Sequence, residues 1–238
     1  MRIDGISGPP LVTCSRTSQP GPFDRIWQRV TLVTIRAALR QSIIVVQTFC
    51  GGAGMSIAAW MIAASLEGST VTDTQGRPVV TVASAYVHAG QAGTARQDEK
   101  MRFLAAVGGR LATWADQGRY AVLTGDLNVA HRVEDLKNWK GNRGKSGFLP
   151  EEQAHLDGWI GTHGFVDVHR HLHGPGPGPY TWWSWRGKAF DSDAGWRIDY
   201  QLASAPLAAT AVRAEVGRAA SYAQRWSDHA PVCVTYAL

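Results

Sequence analysis

Ala121-Val122-Leu123-Thr124-Gly125-Asp126-Leu127-Asn128 is the stretch on which the reading of this chain turns. An unbroken apolar run that stops at turn-forming residues is a buried β-strand. The strand over 121–124 therefore delivers Gly125-Asp126 to its end, where rigid scaffolds present functional groups. Asp126 and Asn128 stand two residues apart, so in extended backbone they point to the same side. Two oxygen-bearing side chains so placed can grip a hard cation, or the oxygens of a phosphate with its water. Gly, Asp and Asn are also ordinary turn formers, and a plain strand-ending turn is the competing reading of this motif taken alone.

Working outward, 79–87 is β-branched and reads as a strand, with Tyr86 in Ser84-Ala85-Tyr86-Val87 at its end. Between the two strands a helix is expected from about Asp98. Leu104, Val107, Leu111 and Trp114 fall on one face of it, and Asp98 and Glu99 sit where the helix dipole favours negative charge. A second helix is expected at Pro150-Glu151-Glu152, with Leu156, Trp159 and Ile160 inward. Further strands are expected over 165–168, 180–183, 198–203, 211–216 and 232–236, with Gly174-Pro175-Gly176-Pro177-Gly178-Pro179 as a loop. Short strands alternating with helices predict a layered α/β protein. Upstream the pattern is weaker. Ile43-Ile44-Val45-Val46 reads as a strand, 60–66 as strand or helix, and Gly8-Pro9-Pro10 and 18–22 as irregular. The chain thus divides into an atypical N-terminal segment, 1–75, and a main domain, 76–238.

Composition bounds the function. The chain has 238 residues, 45% hydrophobic and 18% charged, enough for a globular core. Its net charge of +5 suits a polyanionic partner. Cys14, Cys50 and Cys233 are too few and scattered for a disulfide framework or zinc ribbon. The opening residues lack signal-peptide character, and the longest apolar stretch, 55–66, falls short of the roughly 20 residues that span a bilayer. A cytoplasmic protein without membrane association is the expectation.

Four further clusters carry chemistry. Ser227-Asp228-His229 places an acid beside an imidazole just before a terminal strand, and a histidine there can hold a phosphoryl oxygen or move a proton. Asp199, in Gly195-Trp196-Arg197-Ile198-Asp199, would fix the tautomer of His229 if the two meet; the competing reading pairs Arg197 with Asp199 on an exposed strand face. Tyr180-Thr181-Trp182-Trp183-Ser184-Trp185-Arg186 with Trp196 is an aromatic excess fit for stacking or for core. Lys137, Lys140, Arg143 and Lys145 form a basic loop that can follow a phosphate backbone, or simply be solvated. His169, His171 and His173 alternate as zinc ligands can, but nothing nearby completes such a site, and a partly exposed loop is the better expectation.

Taken in order, these motifs resemble the exodeoxyribonuclease III and AP endonuclease family, within the endonuclease/exonuclease/phosphatase superfamily. The resemblance is carried by Gly125-Asp126-Leu127-Asn128, Gly147-Phe148-Leu149-Pro150-Glu151-Glu152, Asp167-Val168-His169-Arg170, Tyr180-Thr181-Trp182-Trp183, Gly195-Trp196-Arg197-Ile198-Asp199 and Ser227-Asp228-His229-Ala230-Pro231. It implies a four-layer α/β sandwich, two packed β-sheets flanked by helices, with the N-terminal part incomplete. It implies a monomeric DNA repair nuclease that uses Mg2+ or Mn2+ to cleave double-stranded DNA, 5′ to abasic sites and from 3′ ends. By the same resemblance Asp126 activates the water or assists the leaving oxygen, Asn128 orients that acid, Asp199 holds His229, and His229 and Tyr86 contact the phosphate. Asp126, Asn128, Asp228 and His229 surround the metal. Lys140, Arg143, Lys145 and Arg186 bind the DNA backbone, and Trp182, Trp196 and Ile198 line the pocket for a flipped-out abasic sugar.

The N-terminal segment departs from the family pattern. The family has a first strand bearing Asn and a second ending in Gln-Glu, whose Glu binds the metal. Here 29–38 contains no Asn, and Thr48 follows Gln47 where Glu is expected. This departure implies impaired turnover. The alternatives are a DNA-binding remnant without catalysis, or a phosphatase-type member acting on inositol phosphates or phospholipids.

Overall fold

Two β-sheets stack face to face in the computed structural model, which describes residues 34–38, 41–48, 69–72 and 78–238, with side chains from Val80 onward. In chain order the elements are β1 (Thr34–Ala38), β2 (Gln41–Thr48), β3 (Ser69–Thr72), β4 (Pro78–Ser84), α1 (Ala95–Asp116), β5 (Ala121–Asp126), α2 (Trp139–Asn142), α3 (Pro150–Asp157), β6 (Phe165–Asp167), α4 (Val168–His173), β7 (Asp199–Ser204), α5 (Ala205–Ala208), β8 (Ala211–Val216) and β9 (Val232–Ala237). Among the described residues, one sheet runs β1-β2-β9-β8 and the other β3-β4-β5-β7-β6. The first and last described strands therefore share the four-stranded sheet, and the five-stranded sheet is drawn from strands between them.

The core follows from strand alternation. In β4, Val80 and Val82 face the four-stranded sheet, whereas Ala83 and the following Ala85 and Val87 face the helices. Strand β5 is buried on both faces, as a strand inside a covered sheet must be. It pairs parallel with β4, and α1 makes the crossover between them. Phe103, Leu104, Val107, Leu111 and Trp114 form the buried stripe of α1 and meet Leu156 and Trp159 from α3 and the π-helical turn after it. The opposite face of this sheet packs on Ala214, Val234 and Tyr236 of the other, with Val168, Leu207 and Ala208 from α4 and α5 added. The fold is thus α/β with two packed sheets and helices. The described residues supply three layers; the expectations for 60–66 and the first 33 residues lie outside the described residues. No helix among the described residues is long and apolar enough to cross a membrane.

Three expectations are corrected. The segment 180–183 forms no ladder; Trp182 makes isolated bridges to Trp196 and His229 instead. The amides of Thr181 and Trp182 both donate to the Trp196 carbonyl, so their hydrogen bonds close a turn rather than extend a sheet. His169, His171 and His173 lie on α4, whose start Asp167 caps through its side chain. Helical rise turns His171 away from the other two, while His169 and His173 stack at 4.5 Å. The basic loop contains the short helix α2.

Candidate active site

The site is built where β5 ends and β7 begins. These strands run antiparallel, and Asp126 is the direct cross-strand partner of Asp199. Two carboxylates set opposite one another repel, so the arrangement needs compensating donors. Thr181 supplies one: its hydroxyl donates to Asp199 Oδ2 at 2.6 Å and accepts the amides of Ile198 and Asp199. The turn at 180–183 thereby fixes Asp199. His229 supplies the second, with Nδ1 2.9 Å from the same Asp199 oxygen. That contact assigns the proton on Nδ1 and turns Nε2 toward Asp126 Oδ2, 3.9 Å away.

Asn128 completes the cluster from the other side. Its backbone takes the left-handed φ of 49°, which asparagine tolerates better than most residues. Its amide donates to Asp126 Oδ1, and its Nδ2 to both Asp126 Oδ2 and the Val87 carbonyl. The strand-ending turn and the functional pair are therefore one structure. Gly125 permits it: a Cβ there would lie 2.0 Å from the Ala85 carbonyl oxygen, at a φ of +131°. The close approach brings 85–87 alongside β5, where Ala85 N donates to the Thr124 carbonyl and Val87 N to the Asp126 carbonyl, and Tyr86 between them is exposed.

Burial and charge shape the titration of this cluster. Burial pushes the Asp126 carboxyl up, and the charge of Asp199 pushes it further, to about 7. Burial alone would lower the His229 imidazole. The charge and hydrogen bond of Asp199, with Asp126 and Asp228, outweigh it and raise His229 to about 9. At neutral pH the pair is an imidazolium beside a carboxyl poised near its midpoint, a suitable state for proton transfer next to an anion.

The remaining sequence-selected residues distribute as follows. Asp228 accepts from the Trp182 indole at 3.0 Å, which ties the aromatic turn to the histidine loop. Trp182 and Trp196 meet edge to face at 6.4 Å. Ile198, expected to line the pocket, is buried at 4% exposure. Lys140 and Arg143 stand over the Trp139 ring, which packs with Trp196 in a small apolar cluster, so the basic loop is anchored to the aromatic wall. Lys145 and Arg186 are exposed. Arg197 does not pair with Asp199; it is buried against Asp135 and Asp167.

Sequence reasoning missed three supports. Thr181 is one. Lys100 and Glu152 are the others, an ion pair at 2.7 Å with both side chains fully buried. Lys100 also donates to the carbonyls of Asn128 and Ala89, and Glu152 accepts the amides of Gly147 and Leu149. The available signal was that Lys100 falls four residues before Leu104 on the apolar stripe of α1.

A model of the Endonuclease/Exonuclease/phosphatase family matches residues 12–229. The chain belongs to this family. Among curated relatives, the exodeoxyribonuclease of Bacillus subtilis is 36% identical over 166 residues, covering 67% of this chain and 64% of its own. The DNA repair nuclease APEX1 of Danio rerio is 36% identical over 123 residues, covering 52% of this chain and 38% of its own. The chain thus spans less than two thirds of either relative. Among solved structures, an AP endonuclease from Archaeoglobus fulgidus matches with a TM-score of 0.61 at 26% identity, over 67% of this chain and 62% of that one. A 3′-5′ exonuclease from Neisseria meningitidis matches with a TM-score of 0.61 at 28% identity over the same shares.

Nucleases of the Endonuclease/Exonuclease/phosphatase family generally use divalent metals. Asp126, Asp199 and Asp228 make the wall around His229 acidic, as a cation site needs. Yet among the described residues no three His, Cys, Asp or Glu side chains converge into a group that could hold an ion. They do not form a complete cage. Backbone pairing is informative here: Thr48, at the end of β2, pairs with Val232, close after His229. The position where the resemblance expects a metal carboxylate is thus at this end of the sheet, and it carries a hydroxyl.

Proposed function

We propose that this chain is a DNA phosphodiesterase of the exodeoxyribonuclease III and AP endonuclease type, acting on double-stranded DNA at abasic sites and 3′ ends with Mg2+ or Mn2+. One observation carries the reading: Asp199, His229 and Asp126 form a continuous line in which one acid holds the imidazole and the other faces its free nitrogen. In this reading the imidazolium of His229 and the Tyr86 hydroxyl bind the non-bridging oxygens of the scissile phosphate. Asp126 takes a proton from the attacking water as the water oxygen bonds to phosphorus, the ester P–O bond breaks, and Asp126 returns that proton to the leaving oxygen. Asn128 keeps Asp126 oriented, and Trp182 and Trp196 wall the sugar pocket. A bound divalent ion supplies charge neutralisation at the phosphoryl oxygens. Its donors on this chain would be drawn from Asp126, Asn128 and Asp228; His229, expected beside them from the sequence, has no lone pair to offer as an imidazolium. A cytoplasmic monomer is part of the same proposal.

A second reading has a specific observation in its favour. Thr48 offers no carboxylate, so a DNA-binding protein with little turnover is its consequence. The deciding experiment is single-turnover cleavage of a labelled abasic duplex, and of a duplex with recessed 3′ ends, in Mg2+ and in Mn2+. Cleavage of either that Asp126→Ala abolishes supports the nuclease. Salt-sensitive binding with no cleavage supports the second reading, and neither binding nor cleavage refutes both.

A further inference from the structure

Two loops leave the candidate site side by side and meet through aromatic rings. From 184–188, Trp185 is 45% exposed; from 220–226, Tyr222 is 43% and Trp226 64% exposed. Trp185 and Tyr222 lie edge to face with centroids 5.8 Å apart. Between them sits Arg225, its guanidinium 3.7 Å from the Trp185 ring centre and 4.3 Å from that of Tyr222. An isolated exposed indole needs no explanation, but two exposed rings that share one cation, with buried Phe190 5.2 Å from the same guanidinium and Trp226 next to it in the chain, are an organised patch.

The cation is the second, independent feature. Arg225 is 8% exposed, meets no carboxylate among the described residues, and leaves its buried Nε without a hydrogen-bond partner there. Its other nitrogens donate to the carbonyls of Trp183 and Ser184. A buried guanidinium is ordinarily matched to an anion, as Arg197 is by Asp135 and Asp167 in this same chain. Here the protein supplies rings and neutral carbonyls instead. The patch thus combines exposed π faces with an unmatched positive charge, the pairing that suits a nucleobase on an anionic strand.

Continuity with the site fixes which nucleotide this would be. Trp226 precedes Asp228 by two residues, and Trp185 follows Trp182, whose indole binds Asp228. Arg186 and Lys188, both exposed, add positive charge to the 184–188 loop. We propose that Trp185, Tyr222, Arg225 and Trp226 form a stacking platform for an unpaired nucleobase on the strand leaving the catalytic cleft. The substrates favoured would be DNA with frayed, mismatched or single-stranded nucleotides beside the scissile phosphate. A base inside a duplex already has both faces covered and cannot use such a surface. The inference rests on the nucleic-acid reading of the site but not on turnover.

The test is binding by the full chain without divalent metal, followed by quenching of tryptophan emission and by anisotropy of a labelled strand. The probes are a short blunt duplex, the same duplex with an unpaired 3′ tail, and that duplex with a tail of abasic sugar-phosphate. Wild type should bind the base-bearing tail about tenfold more tightly than either of the others. Trp226→Ala, and the double Trp185→Ala/Tyr222→Ala, should remove that preference and leave blunt-duplex affinity within about twofold. Trp226→Phe, which keeps an aromatic face, should retain most of it and shows that the loop still folds. Equal affinity for all three probes in wild type would overturn the platform, as would an abasic tail binding as well as a base-bearing one. Loss of blunt and tailed binding alike in the alanine variants would overturn it too. A tail preference without cleavage would leave the platform standing while the nuclease reading falls. Cleavage without a tail preference would do the reverse.

Discussion

Lys100, fully buried on α1, donates to the backbone carbonyl of Asn128 at 2.8 Å while its charge is matched by Glu152. The turn that aims Asn128 at Asp126 is thus pinned from behind by a lysine with no access to water. Burial lowers the Lys100 pKa, and the charge and hydrogen bond of Glu152 oppose that shift. Removing one partner leaves the other charged and uncompensated. Lys100→Met should cost about 3–5 kcal/mol of stability in urea unfolding, and the double variant with Glu152→Gln should cost less than the sum of the singles. Additive losses would show that the pair is not coupled.

Asp199→Asn retains the shape of the site but lets an amide face His229, which can reverse the imidazole tautomer. Where cleavage is measurable, single-turnover rates should fall by roughly a thousandfold with little change in duplex affinity. A loss confined to affinity would remove Asp199 from its orienting role.

Turnover by the wild-type chain should be slow in Mg2+, because Thr48, paired with Val232 at the end of β2, is not a carboxylate. Loss of a direct metal ligand weakens both occupancy and transition-state charge stabilisation. Thr48→Glu should restore little. Fast wild-type cleavage that Asp126→Ala abolishes would show that another side chain supplies the donor.

Duplex affinity should fall steeply with salt. Neutralising Lys140, Arg143, Lys145 and Arg186 in turn should reduce the slope of log affinity against log salt by about one for each phosphate that no longer meets a cation. An unchanged slope in the fourfold variant would dismiss the basic loop as a DNA-binding element.

His169 predicts an acid-labile fold. It is 7% exposed, and burial followed by repulsion from Arg197 and His173 drives its pKa down from 6.5 to about 4. The unfolded chain takes up its proton first, so stability is full above about 6.5 and is lost as pH falls toward 4. The loss attributable to this residue is on the order of 2 kcal/mol. His169→Leu should flatten the pH dependence of the urea midpoint across that window; an unaltered profile would assign the lability elsewhere.

What could be read from the sequence was what local pattern encodes. The α1 stripe and β5 announced themselves by periodicity, and Asp126, Asn128 and His229 by standing at strand ends. The supports could not be read that way. Lys100 and Glu152 are 52 residues apart and look like ordinary helix-surface charges until the fold buries them together. Thr181 acts through a turn whose partners come from 196–199, so its aromatic neighbours made the segment look like a strand. Arg197 and Asp199 share a strand face by spacing alone, yet Asp135 and Asp167, distant in sequence, claim the arginine.

The pairing of β2 with β9 has a consequence for biosynthesis. Residues 41–48 must wait for residues 232–237 before their sheet can close, a pairing that spans most of the chain. The acids on β5 and β7 are made well before His229, which sits at the threshold of that last strand. A nascent chain that stops before residue 229 therefore holds its carboxylates without that cation. Truncation upstream of β9 should yield a species that exposes apolar sheet surface.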